Sequence, residues 1–205
     1  MKHIIVLLGV VAAMLLLAVP VIAGPDAASI DMNAATGGSG IADSDPQSPV
    51  LDGSAFTNYD TIFFHGSLAN ANPASVGVLS EGNYFSGHRI FINRSSSYVY
   101  VNCPLIGYDS KQGGIQPKVK YLGFEYNTSG AAEIYAVDVF NGPNLIDTFY
   151  FNPPLKSTAF TVKVIDLGAW YRFNRGLDMG LYLRNPSATS YGEIRIAGYG
   201  ARFEW

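Results

Sequence analysis

Beyond residue 60 the hydrophobic positions recur every second residue. Leu177, Met179, Leu181 and Leu183 alternate with Asp178, Gly180, Tyr182 and Arg184, and Phe160, Val162 and Val164 alternate with Thr161 and Lys163. A period of two sends successive side chains to opposite faces, so each run predicts a strand with one buried face. Three further runs, 119–126, 134–140 and 145–151, are rich in β-branched and aromatic residues and predict strands as well. Weaker runs at 61–65, 76–80, 89–93 and 98–102 add four more. The tetrad Asn141-Gly-Pro-Asn144 predicts the turn between two of these strands, with Gly142 free to take positive φ. Pro153-Pro154, Asn185-Pro186 and Gly113-Gly114 punctuate the rest, and no stretch has helical periodicity.

The last run, 192–205, changes phase. Ile194 and Ile196 occupy one parity, whereas Tyr199, Ala201, Phe203 and Trp205 occupy the other. Gly198 and Gly200 mark where a bulge would make that switch. Roughly nine to eleven short strands at hairpin-like spacing predict an all-β chain, an antiparallel β-sandwich of jelly-roll-like topology.

Composition changes the picture at the N-terminus. The chain has 205 residues, 48% apolar and 14% charged, but part of the apolar content sits in one block, where Ile4 to Val19 has no polar side chain. Lys2 precedes the block, and the small residues Val21 and Ala23 follow it. That pattern predicts a secretory signal over residues 1–23, cleaved before Gly24. Left uncleaved, the same block is long enough to anchor the chain in a bilayer, the one route to a membrane in this reading. Residues 24–57 read as an acidic linker rich in Gly, Ser, Asp and Pro, and residues 58–205 as the β-sandwich domain. Asp43, Asp45 and Asp52 lack the glycine and terminal glutamate of a calcium loop, so no metal is assigned to the linker.

Without the signal the chain has 12 basic and 16 acidic residues, a net charge near −4. An exported, acidic chain is neither a cytosolic enzyme nor a basic nucleic-acid binder. One cysteine, Cys103, precludes an internal disulfide, so stability has to come from packing. Cys103 lies in an apolar run and reads as a small buried hydrophobe.

Chemistry is sparse. His65 and His88 are the histidines outside the signal, and no nucleophile elbow, zinc helix motif or phosphate loop accompanies them. His65 closes an apolar strand and reads as structural. No catalytic residue, metal site or cofactor is assigned. Binding has more behind it, because two Trp, thirteen Tyr and twelve Phe exceed what a core of this size needs. Trp170, Tyr171, Arg172, Asn174 and Arg175 gather in one segment, where flat rings lie beside planar hydrogen-bonding groups. Sugar and peptide sites use that combination, so this segment is the candidate ligand site. Asn93-Arg94-Ser95 and Asn127-Thr128-Ser129 are glycosylation sequons, at strand ends where surface loops belong.

Taken together, His65-Gly66, Tyr98-Val-Tyr-Val-Asn-Cys-Pro104, Val137-Asp-Val-Phe-Asn-Gly142, Gly176-Leu-Asp-Met-Gly-Leu and Ala197-Gly-Tyr-Gly-Ala-Arg-Phe203 form a series. In order and spacing it resembles a family of small β domains without an assigned function. Members of that family carry a His-Gly start, a Pro-Thr-Pro-Val segment, a V-x-V-x-D-G hairpin, a Gly-Leu-Gly-Ile-Ser strand and an Ala-Gly-Ala-Asp-Phe closing strand. The resemblance covers about Thr61 to Trp205 and implies a fold but no catalytic residues. Here one proline of the first segment is present, Asn141 stands at the turn acid and Arg202 at the closing acid. Any chemistry those acids perform in the family is absent from this chain.

The sequence thus predicts a secreted or cell-surface, non-enzymatic β-sandwich module for binding or structure, its partner a glycan or an extracellular protein. Two alternatives stand beside it. The C-terminal aromatic strand resembles the closing strand of a small outer-membrane β-barrel, although Lys120, Lys163, Arg184 and Arg195 on the polar strand faces oppose lipid exposure. A glycoside-type hydrolase needs two carboxylates brought together by the fold, which sequence spacing does not reveal.

Overall fold

The computed structural model describes residues 56, 58–108, 110–111 and 114–205; the predicted signal and nearly all of the predicted linker lie outside the described residues. Eleven strands form two antiparallel sheets: β1 (Tyr59–His65), β2 (Asn70–Ala71), β3 (Val78–Tyr84), β4 (Gly87–Ile92), β5 (Ser96–Leu105), β6 (Lys118–Ser129), β7 (Glu133–Asn141), β8 (Asn144–Leu155), β9 (Thr161–Tyr171), β10 (Leu177–Asn185) and β11 (Gly192–Glu204). The first sheet runs β3-β4-β11-β6-β9 with β1 also on β11, and the second runs β2-β5-β10-β7-β8. This is a jelly-roll-like sandwich. Each sheet ends in edge strands and neither closes on itself, which overturns the barrel alternative.

The core follows the period-two pattern. Leu177, Met179, Leu181 and Leu183 face Ile194, Ile196, Phe124 and Ile90 across the sandwich, all at most 1% exposed. Each such side chain contributes on the order of 1.5–3 kcal/mol when taken out of water. Strand β11 keeps both of its phases inward. A register shift between Ile196 and Gly198 resets the parity, so Ile194, Ile196, Tyr199, Ala201 and Phe203 all face one core. The same point divides its edge, with β4 pairing from Gly192 to Ile196 and β1 from Gly198 to Glu204.

Three features depart from the sequence reading. Strand β8 continues through Pro153 and Pro154, which the pattern treats as punctuation; β8 is an edge strand, where a missing N–H leaves no partner unsatisfied. Strand β9 extends well past Val164, so Trp170 and Tyr171 belong to a strand rather than a connecting segment. Lys120 is 7% exposed rather than on an open face, because a bulge between Val119 and Tyr121 turns it toward Asp166, 3.9 Å away. Cys103 is fully buried, as the apolar run implied, and burial pushes its thiol well above the usual range.

Two buried asparagines lock opposite ends of β10. Asn185 donates to the carbonyls of Asn93 (3.1 Å) and Ser190 (2.9 Å) and accepts from the Ser187 amide, joining the β4–β5 and β10–β11 connections. Asn141 donates to the Arg172 carbonyl (3.1 Å) and accepts from the Arg175 amide (3.0 Å) at the other end. The strand between them spans about 27 Å. Asn185→Leu keeps the branched shape and removes every bond the Asn185 amide makes, leaving the Asn93 and Ser190 carbonyls without their donor. It should cost about 2 kcal/mol or more, seen as a melting temperature lower by about 4–8 °C. The exposed Thr189→Ala should stay within about 0.5 kcal/mol of wild type. Equal melting temperatures for Asn185→Leu and wild type would remove the lock.

Candidate functional site

The outer face of the second sheet carries an ordered array of tyrosines that sequence alternation did not single out. Strand register sets it in rows. Tyr100 on β5, Tyr182 on β10, Ala136 on β7 and Tyr150 on β8 stand side by side, and Asn102, Gly180, Asp138 and Thr148 form the next row. Each row holds one small residue, Ala136 in the first and Gly180 in the second, which leaves room for the neighbouring rings. Gly180 supplies the clearest case, because a Cβ there would sit 1.7 Å from the Tyr100 hydroxyl. Tyr100 therefore lies over Gly180, only 9% exposed.

The rings make one cluster around Tyr182. Tyr100 meets it edge-on at 4.8 Å, Tyr98 lies 5.8 Å away and Tyr135 5.7 Å. Tyr135 reaches this face because β7 carries a bulge between Ile134 and Ala136. The Arg184 guanidinium covers the Tyr135 ring at 5.2 Å. Each such ring contact contributes about 0.5–1.5 kcal/mol beyond the area it buries.

At the centre of the array is a buried acid. Asp138 is 5% exposed and accepts hydrogen bonds from the Tyr182 hydroxyl at 2.7 Å and the Thr148 hydroxyl at 2.6 Å. A buried carboxylate without donors would be costly, so these two hydroxyls fix the Asp138 rotamer and the Tyr182 ring together. Glu133 at the margin is bracketed by Arg184 (2.5 Å) and Lys156 (2.7 Å). Burial disfavours its charge, but those two cations outweigh burial and hold its carboxyl below the usual range. Burial raises Asp178 at the opposite margin. Tyr98, 41% exposed, and Tyr150, 76% exposed, are left open on either side, three strands or about 14 Å apart across the sheet and two residues apart along it. Such a surface offers flat apolar rings interspersed with fixed hydroxyl and amide groups, a match for a polyhydroxylated ligand.

The segment singled out by sequence is placed elsewhere. Trp170 is 6% exposed and packs edge-on against Phe56 (4.7 Å) and Tyr121 (6.1 Å) on the outer face of the first sheet. Tyr171, its neighbour in β9, turns the other way and packs against the main core. Arg172, Asn174 and Arg175 lie in the connection that Asn141 ties down, with Arg175 exposed. Trp170 and Tyr171 are thus brought to opposite sides of their strand. Of the sequon residues, Asn93 is exposed just after β4, whereas Asn127 is half-buried within β6, opposite Arg195. His65 is satisfied at both nitrogens, by Ser67 and by the Phe85 carbonyl; His88 is buried between Glu81 and Asn83. Among the described residues no group of three His, Cys, Asp or Glu side chains is placed to hold a metal ion.

The array has a signature in alkaline solution. Burial, reinforced by Asp138, holds the Tyr100 and Tyr182 phenols well above the ordinary tyrosine range, and burial does the same for Tyr199 in the core. A pKa raised in the folded state stabilises the fold below the unfolded value and loses that contribution as pH climbs toward the folded one. Stability should therefore be flat up to about pH 10, where free tyrosine ionises, and fall above it. A phenolate titration by absorbance should reach a partial plateau, the remainder appearing only with unfolding. Complete ionisation of all thirteen tyrosines near pH 10, with the circular dichroism spectrum intact, would contradict the buried array.

No protein-family model and no curated protein matches the chain. Solved structures with a similar outline include a family 36 carbohydrate-binding module in complex with calcium and xylotriose, at 12% identity and a TM-score of 0.37, covering 70% of this chain and 98% of that one. Another is the first family 36 module of a multidomain xylanase from the hindgut metagenome of Trinervitermes trinervoides, at 9% identity and a TM-score of 0.41, covering 70% and 96%. A third is the C-terminal family 6 module of a marine laminarinase from Zobellia galactanivorans, at 11% identity and a TM-score of 0.39, covering 71% and 100%. At these identities and scores the likeness extends to a two-sheet outline and nothing finer.

Proposed function

We propose that this chain is an exported, non-catalytic carbohydrate-binding module that holds a glycan on the tyrosine face of its second sheet. The observation that carries this reading is the row Tyr100–Tyr182–Ala136–Tyr150 beside the buried, doubly hydrogen-bonded Asp138. Rings stack on the apolar faces of sugars, while acids and amides beside them take the hydroxyls. The face is preformed, since Tyr100 and Tyr182 are locked by packing and by Asp138. A ligand bound there loses little to protein ordering. Tyr98 and Tyr150, the open rings, supply the stacking area.

The test is binding of the full chain to a panel of immobilised neutral and acidic polysaccharides, with melting temperature measured for each variant. Tyr98→Ala and Tyr150→Ala should each weaken binding about fivefold, equivalent to roughly 1 kcal/mol per stacked ring, Tyr150→Ala at unchanged stability and Tyr98→Ala at a cost of about 1 kcal/mol for the lost Tyr182 contact. Arg172→Ala and Arg175→Ala, at the far end of β10, should bind as wild type. Loss in the arginine variants, with the tyrosine variants unaffected, would move the site to the 170–175 segment.

A further inference from the structure

The tyrosine face does not end at Tyr98. The same ring forms one wall of a cleft of about 370 Å³ at the β4–β5 turn, where Asn93, Arg94, Ser95 and Ser96 make the remaining polar lining. Tyr98 is thus shared, with Tyr182 5.8 Å away on one side and the cleft on the other. A chain of sugars lying across β8, β7, β10 and β5 would arrive at this cleft.

The cleft differs from the face in its charge. The cations on the face, Arg184 and Lys156, are both paired with Glu133. Arg94 is exposed, and among the described residues no carboxylate lies within ion-pairing distance of it. Its guanidinium is held instead over the ring of Tyr191, 5.1 Å from the centroid. This cation–π contact holds the group near the ring and, among the described residues, leaves its forked N–H donors unengaged, free to receive a carboxylate or sulfate in bidentate fashion. The turn itself is braced at two points by the end of β10 and the segment that follows it. Asn185 holds the Asn93 carbonyl, the Ser95 amide donates to the Ser187 carbonyl at 2.8 Å, and Ser95 sits at φ 52°, a left-handed conformation rare outside glycine. A loop held in that conformation fixes the backbone that carries Arg94 at the cleft whose lining it shares with Tyr98.

We infer that the glycan bound on this face is an acidic one, its anionic substituent received by Arg94 in the cleft next to Tyr98. The inference rests on the carbohydrate-binding reading and adds the ligand's class to it. The shared chemistry is an oxyanion on a sugar ring, with carboxylate and sulfate as its two sources.

Calorimetric titration of the full chain with two matched pairs of probes tests it: oligogalacturonate against galacto-oligosaccharide, and a sulfated galactan oligosaccharide against its desulfated form. At least one acidic probe should bind about tenfold more tightly than its neutral partner, the scale of one charge-assisted contact, and which pair responds identifies the oxyanion. Arg94→Gln should abolish that preference by weakening the acidic probe alone, Arg94→Lys should retain part of it, and added salt should reduce it. Tyr98→Ala should weaken acidic and neutral probes together. Equal binding of acidic and neutral probes, or full acidic preference in Arg94→Gln, overturns the inference while leaving the tyrosine face in place. Binding unaffected in both Tyr98→Ala and Tyr150→Ala overturns the face itself. If neither pair binds at millimolar concentration, both fall.

Discussion

Strand β11 has to keep its apolar side chains inward over thirteen residues while its edge changes partner halfway. A regular strand with this sequence would put Ile194 and Ile196 on one face and Tyr199, Ala201 and Phe203 on the other. The bulge before Gly198 removes the conflict by resetting the parity at the point where β4 leaves the edge and β1 joins it. The first sheet is built around this correction, because β1, β4 and β6 all take their register from β11. The small residues nearby serve the same end. Gly198 and Gly200 leave the outer surface of β11 bare, so the Phe63 ring lies directly on the backbone.

With no disulfide available, the connections are secured by buried amides. Asn185 and Asn141 are both fully buried and close opposite ends of the second sheet, Asn185 by bonding backbone groups of two separate connections and Asn141 by bonding two backbone groups of the β9–β10 connection. A buried amide that satisfies several backbone groups confers geometry as well as stability, since no apolar substitute reproduces its directions. The placement matters for the proposed acidic-glycan site, because the connections held by Asn185 are those that carry Arg94 and Tyr191.

The tyrosine face follows from the same economy of buried polar groups. Asp138 is tolerated inside because Tyr182 and Thr148, its cross-strand neighbours, both donate to it. That satisfied centre fixes the rings around it, and the open tyrosines stand at the margins of a surface that is rigid before any ligand arrives. Arg94, stacked on Tyr191 rather than paired with an acid, gives that surface a cationic end.

The period-two alternation alone determined most of the fold, because burial of one strand face is a local property that each segment carries in its own residues. With the β-rich composition of its weaker runs it placed ten of the eleven strands and the phase change in β11, while the turn tetrad gave Gly142 (φ 58°) and the apolar run gave the buried Cys103. It did not reveal β2, whose two residues are too few for a period, nor the course of β8 through its prolines, which depends on β8 being an edge. The proposed site lay beyond it for a different reason. Trp170 and the arginines that follow are neighbours along the chain, and proximity in sequence made them the visible candidate, yet a strand sends Trp170 and Tyr171 to opposite faces. Tyr98, Tyr100, Tyr135, Tyr150, Tyr182 and Asp138 come from four strands and look like ordinary polar-face residues when each strand is read alone. Only strand order and register put them side by side. Those are set by the packing of whole sheets, and no segment carries that information by itself.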